Sequence, residues 1–131
     1  MQYLLMLYSD ESLWTKMTTE QQLQGYAAYR AYREALQSAG VLAGSNRLRP
    51  AETATTVRTT NNKLQVLDGP FIDSKESLGG YFMIDVPDLD AALSWAAKCP
   101  GAAHGVIEVR AIWPTEAPQE RSTSQEAVAT R

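Results

Sequence analysis

One cysteine and one histidine among 131 residues are unusually few, and each scarcity removes a class of chemistry. Cys99 alone cannot form an intrachain disulfide, so burial must hold the fold, and the sequence is compatible with a reducing compartment. Cys99 and His104 are both solitary, no His, Cys and carboxylate cluster has metal-ligand spacing, and no metal is expected. Basic residues are also short: twelve Lys and Arg against fifteen Asp and Glu leave a net charge of -3, with no basic run. Nucleic-acid binding, which needs a basic face to neutralise phosphates, is not expected. No apolar stretch approaches the roughly 18 residues of a membrane span. The phosphate-loop spacings GxGxxG and GxxxxGK[ST] are missing, as is the GxSxG elbow, so no cofactor is expected. The opening MQYLLMLYSDESLW meets acidic residues by Asp10 rather than forming a secretory leader, which makes a cytoplasmic protein the expectation.

What is present is a single domain's worth of alternating short elements. Gln2–Tyr8 is an apolar run of strand length with little alternation, expected to be covered on both faces or packed inside a sheet. It stops at the polar turn Ser9-Asp10-Glu11-Ser12. Thr18 or Thr19, with Gln21 or Gln22 three residues on, has capping-box spacing and starts a helix over 19–39. Gly25, Tyr29, Tyr32, Leu36 and Ala39 make one face of it, and Gly40 follows as the C-terminal cap. Val41–Ala43 opens a second strand. ATTVRTT and KLQVL flank Asn61-Asn62, a pair able to take the positive φ of a tight hairpin. Gly80–Val86 is a strand, Asp88 caps a second helix with a stripe of Leu89, Ala92, Leu93 and Ala96, and Pro100 ends it. GVIEVRAIW (105–113) alternates strictly, with Val106, Glu108 and Arg110 on one face. Residues 114–131 are small and polar and are expected to be a disordered tail behind a 1–113 domain.

The order is βαββαβ with an inserted β-hairpin, an α+β ferredoxin-like arrangement. Two helices on one face of an antiparallel sheet leave the other face bare. A homodimer joined sheet to sheet is the expected remedy.

The stretch LQVLDGPFIDSKESLGGYFMIDV (64–86) holds most of the candidate chemistry. Read plainly, Asp68-Gly69-Pro70 is a turn and Phe71 plugs the core. Read functionally, Asp68 at a strand end is a general base or a ligand for a polar substrate. Lys75 and Glu76 then approach the same cleft, on a loop stiffened by Pro70 and anchored by Phe71. His104, the chain's single imidazole, makes an acid-base pair with Asp68 if the two meet; otherwise it is an ordinary surface or capping residue. The catalytic reading thus rests on Asp68, Lys75 and His104 converging. Glu108 and Arg110 are either a solvated ion pair or, inside a dimer, the polar lining of a pocket. Together with Phe71 and Glu76 they are the candidate ligand-binding residues. Cys99 reads as a buried thiol rather than a nucleophile, and the tyrosines of the first helix as core.

The long motif also resembles a known family. Asp68-Gly69-Pro70-Phe71, Asp73, Lys75-Glu76, Gly79-Gly80, Pro87, Ala91-Ala92, Trp95, Cys99-Pro100 and Glu108-Val109-Arg110 follow the pattern of DGPF-domain proteins, a branch of the YCII-related family, across residues 1–113. The resemblance implies a dimeric α/β-barrel of ferredoxin-like subunits. It implies little about reaction, although dechlorinating relatives indicate small-molecule chemistry, and many members neighbour alternative sigma factors in bacterial genomes. The YCII branch is thought to use a His on the first helix with an Asp just after the second. Here the first helix has tyrosines instead, and Cys99 stands at the second position, so that dyad is not carried over. Arg110 is followed by Ala111 rather than the usual Pro. Two functions stand: a small-molecule-binding protein of the lyase, isomerase or dehalogenase-like enzyme kind acting on an unknown ligand near the DGPF motif, or a non-catalytic regulatory or interaction module associated with an alternative sigma factor.

Overall fold

The computed structural model describes residues 1–115; the expected tail lies almost wholly outside the described residues. Along the chain run β1 (Gln2–Ser9), α1 (Glu11–Thr15), α2 (Thr19–Ser38), β2 (Leu42–Arg47), β3 (Thr55–Thr60), β4 (Lys63–Asp68), β5 (Ser77–Asp85), α3 (Leu89–Lys98) and β6 (Val106–Ala111). One-turn helices lie at Ala51–Thr53 and Pro100–Ala103. β2, β5, β1 and β6 form one sheet in that order, and every neighbouring pair is antiparallel. This is the ferredoxin-like βαββαβ topology, with β3 and β4 as a separate two-stranded ribbon inserted between β2 and β5.

Local chemistry explains the boundaries. Thr18 closes a full capping box: its Oγ1 accepts from Gln21 N–H at 3.1 Å, and its own N–H donates to Gln21 Oε1 at 2.9 Å. Gly40, at φ 74°, ends α2. Asp88 accepts from Ala91 N–H to start α3, and Lys98 in its last turn faces the negative end of the helix dipole. Asn61 and Asn62 take φ 52° and 65°, the left-handed pair the hairpin requires. α1 was not expected. Asp10 converts the predicted polar turn into a helix start by accepting from both Ser12 N–H and Ser12 Oγ.

The core lies between the sheet and α2 and α3. Leu5, Leu36 and Ile84 are fully buried, with Tyr3, Tyr32, Phe82, Val86, Ala92, Ala96 and Cys99 around them. Tyr32 sets its ring edge-on to Phe82 and donates its hydroxyl to Trp95 O at 2.7 Å, so its one polar atom is satisfied in the core. α3 turns a different stripe inward than its periodicity suggests. Ala92, Ala96 and Cys99 are buried while Leu89 and Leu93 stay about half exposed. Small side chains let the helix lie close to the sheet, and the leucines occupy its shoulder.

β1 is an inner strand, as its unbroken apolar run predicts, yet only one of its faces is covered. Tyr3 and Leu5 point to the helices. Leu4, Met6 and Tyr8 point away and are partly exposed. The pairing register places Met83 beside Leu4, Tyr81 beside Met6, and Arg110, Glu108 and Val106 beyond them on the same open face. Among the described residues no helix is long and apolar enough to cross a membrane.

Candidate functional site

β1 and β5 end together, with Ser9 opposite Ser77. That register brings the turn after β1 against the loop before β5, two segments more than sixty residues apart in sequence. A groove of about 290 Å³ lies between them. Asp10, Glu11 and Ser12 form one wall, Ala51 and Glu52 a second, and Pro70 and Ile72 with Asp73, Ser74, Lys75 and Ser77 complete it. Four carboxylates and one ammonium make it acidic, and Ala51, Pro70 and Ile72 give it apolar surface as well.

Three sets of bonds shape the groove. Asp10, the N-cap of α1, has its carboxyl held below the ordinary carboxylate range, first by the hydrogen bonds from Ser12 and secondarily by Lys75 and Lys16. Both Glu11 oxygens accept from Ala51 N–H at 3.1 Å, which ties α1 to the Ala51–Thr53 turn. At the ribbon's base Gly69 N–H donates to Ala54 O at 2.7 Å, and Thr56 Oγ1 donates to Gly69 O at 2.8 Å. Gly69 has φ 104°, a conformation that a Cβ would strain, which explains a glycine after Asp68.

The candidate catalytic residues occupy different places. Lys75 lines the groove, its Nζ 4.0 Å from Asp10 Oδ2. With the lysine side chain 87% exposed, this contact is a weak surface pairing that leaves the ammonium available to a ligand. Asp68 ends β4 opposite Thr55, on the ribbon and not on the groove wall. His104 closes the Pro100–Ala103 turn, its N–H donating to Gly101 O at 3.2 Å. It comes two residues before Val106, the partner of Tyr8, so it stands at the same end of the sheet as Asp10 without lining the groove. Glu76 is exposed just before β5. Phe71 is 70% exposed, which overturns the expectation that it plugs the core. The Arg58 guanidinium instead lies 5.4 Å from its ring centroid, so Phe71 braces the ribbon against the loop. Glu108 and Arg110 pair at 2.8 Å on the open sheet face, away from the groove.

Sequence reasoning did not single out Asp10, Glu11, Ser12 or Glu52 as site residues. No local signal marks them, because only the β1–β5 register carries them to the loop. A second polar cluster also formed unforeseen. The Tyr29 hydroxyl lies beside the Cys99 thiol and the Gly101 backbone, and a Cβ at Gly101 would fall 2.5 Å from that hydroxyl. Burial pushes both the Tyr29 phenol and the Cys99 thiol above their ordinary values, so both stay protonated and neither is a ready nucleophile. Among the described residues no group of three His, Cys, Asp or Glu side chains is placed to hold a metal ion.

Comparison with known proteins agrees with this architecture. The chain is 36% identical over 118 residues to an uncharacterized protein of Rhizobium meliloti (strain 1021), covering 86% of this chain and 92% of that protein. Its fold is similar to 5-chloro-2-hydroxyhydroquinone dehydrochlorinase from Burkholderia phenoliruptrix AC1100, solved in complex with 2,5-dihydroxybenzoquinone. The TM-score is 0.52 at 16% identity, over 87% of this chain and 94% of the other. The YCII-related domain matches residues 1–116, and with that match over most of its 131 residues, the protein belongs to the YCII-related family.

Proposed function

We propose that this protein binds a small, oxygen-rich organic molecule in the groove between the DGPF loop and the turn after β1, and that it works as a cytoplasmic homodimer. The observation that carries the reading is Lys75. Among the described residues it is the one cation lining the groove, mostly solvent-exposed and only loosely paired with Asp10, in a wall that combines carboxylates and hydroxyls with Ala51, Pro70 and Ile72. An ammonium so placed donates to a ligand oxygen, Ser12, Ser74 and Ser77 offer hydroxyl partners, and the surrounding carboxylates accept from the ligand's protonated hydroxyls. A dihydroxylated quinone or hydroquinone has that chemistry, and the dehydrochlorinase of similar fold was solved with such a ring. The catalytic form of this reading requires Asp68 and His104, which do not line the groove, to reach the ligand for acid-base chemistry, with Phe71 and Glu76 holding it from the loop. Glu108 and Arg110 become a polar lining between the open sheet faces of two copies.

Titrating the protein with 2,5-dihydroxybenzoquinone by calorimetry tests the binding, and chloride release from the chlorinated hydroquinone tests for dehydrochlorinase-like turnover. Saturable binding that Lys75→Ala weakens about tenfold, the worth of one charge-assisted hydrogen bond, is expected. Equal affinity in wild type and K75A would sink the assignment of this groove. One observation favours a second reading: of Asp68, Lys75 and His104, only Lys75 lines the groove. A non-catalytic module that binds an alternative sigma factor requires no convergence of those groups. Stable co-purification of such a factor, with no turnover of any ring substrate, would select that reading.

A further inference from the structure

Arg47 ends β2, and among the described residues no carboxylate pairs with it. Two aromatic rings hold it instead. Its guanidinium carbon lies 5.3 Å from the ring centroid of Trp14 on α1 and 5.3 Å from that of Tyr26 on α2, and its Nη1 donates to the Tyr26 hydroxyl at 3.1 Å. The two rings meet edge to face, with centroids 5.2 Å apart, so guanidinium, indole and phenol close a three-part cluster. Two more contacts seat Trp14 on α2. Gln22 Nε2 donates to Trp14 O at 3.0 Å, and Gly25 makes room for the indole, since a Cβ there would lie 3.1 Å from it.

The cluster stands where the walls of the Lys75 groove are joined. α1 gives the first wall Glu11 and Ser12, with Asp10 as its cap, yet none of its five residues is buried, so the core does not fix its place. Four residues past Arg47 the backbone reaches Ala51 and Glu52, the second wall, where Ala51 N–H donates to Glu11. Arg47 also pairs with Gly80 on β5, the strand that begins at Ser77 in the remaining wall, and Leu48 N–H donates to Gly79 O at 2.8 Å. One residue thus grips the first wall with its side chain and joins the other two through its backbone, without itself lining the groove. We infer that Arg47 is a positioning residue: clamped between Trp14 and Tyr26, it sets where Asp10 and Ser12 stand relative to Lys75, and so the width the ligand meets. This rests on the groove reading above and identifies what holds the groove in shape. Because Arg47 is exposed, the cluster adds little to the stability of the whole chain, and its effect falls on the placement of α1. A lysine at this position would keep the charge but has no planar group to stack on the rings.

The test compares Arg47→Ala and Arg47→Lys with wild type on the full chain, and adds Lys75→Ala to wild type and to Arg47→Ala. Circular dichroism and urea midpoints check folding, calorimetry with 2,5-dihydroxybenzoquinone reads affinity, and hydrogen exchange reads the mobility of residues 10–17. The dissociation constant should rise about tenfold in Arg47→Ala and at least about threefold in Arg47→Lys. Exchange over residues 10–17 should quicken in both, with exchange in β1 and β5 and the urea midpoint nearly unchanged. Lys75→Ala should weaken binding less in the Arg47→Ala background than in wild type, because the wall facing Lys75 is already displaced. A merely structural role would lower the urea midpoint and leave the two substitutions additive. Wild-type affinity in either Arg47 variant, whatever the exchange rates, overturns the clamp and leaves the groove standing. Full additivity with Lys75→Ala does the same. A wild type that does not bind the quinone overturns the groove reading, and the positioning role falls with it.

Discussion

At the residue scale, the side chains buried at the end of α3 give the chain a defined alkaline limit. Burial raises the Cys99 thiol above its ordinary value of 9.0, and the hydrogen bonds from Gly101 and Tyr29 offset this only in part. Tyr29 and Tyr32 are raised above 10.0, again chiefly by burial and then by Cys99. A group whose pKa is higher folded than unfolded contributes stability that is intact below its unfolded pKa. That stability is lost as pH rises, because the unfolded chain sheds the proton first. Stability should therefore be flat through neutrality and fall above about pH 9, as the unfolded thiol ionises, and more steeply above pH 10 as the phenols follow. In Cys99→Ala the first part of the decline disappears, and the loss should begin about one pH unit higher. Urea midpoints from pH 7 to 10.5 measure it, and an identical onset in both proteins would refute the assignment. The cysteine's protonated, buried state was legible from its solitude in the sequence. Its contact with Tyr29 was not, because that contact depends on how α2 crosses the turn after α3.

Elements were the best-read level, and the reason is physical. Caps and tight turns are local: Thr18 with Gln21, Gly40, Asn61-Asn62 and Asp88 each act within four residues, so their chemistry stands in the sequence. What failed were choices between neighbouring faces. Leu89, Ala92, Leu93 and Ala96 fall within one helical arc, and only packing against the sheet decides that the alanines, rather than the leucines, go inside. α1 was missed because five residues carry no periodicity, and it is held by its Asp10 cap and by the Glu11 contact to Ala51. The capping box of α2 offers a clean measure of how far local chemistry stabilises the whole. Thr18→Ala removes the Oγ1 acceptor from Gln21 N–H at an exposed position, where nothing else changes. It should lower stability by about 1 kcal/mol in urea unfolding, with an unchanged m value. Thr18→Ser should restore most of it. A loss equal in both variants would show that packing of the threonine methyl, not the cap, was lost.

For the whole molecule, everything of functional interest depends on long-range register or on surfaces that one chain leaves open, and neither is written locally. The DGPF loop is conspicuous in the sequence, but the wall facing it comes from residues 10–12, delivered by the β1–β5 pairing. The bare sheet face was legible because two helices cannot cover both sides of four strands. The pairing register builds an apolar centre on that face. Met83, Leu4, Met6 and Tyr81 lie side by side, and the Glu108–Arg110 pair sits on the outer strand next to them. That centre makes a decisive substitution available. Met83 is flanked in sequence by the buried Phe82 and Ile84 but points away from them, so Met83→Lys leaves the core intact and keeps its ammonium in water as long as the chain is alone. In a sheet-to-sheet dimer the same ammonium would be buried without a partner, at a cost of about 3 kcal/mol or more, enough to weaken association at least 100-fold. Size-exclusion chromatography with light scattering should therefore give a dimer for wild type and a folded monomer for Met83→Lys at the same micromolar concentration. The single-chain stability should change little. A variant that stays dimeric would place the interface somewhere other than this face, and the groove beside Lys75 would then have to bind its ligand without a second copy opposite the sheet.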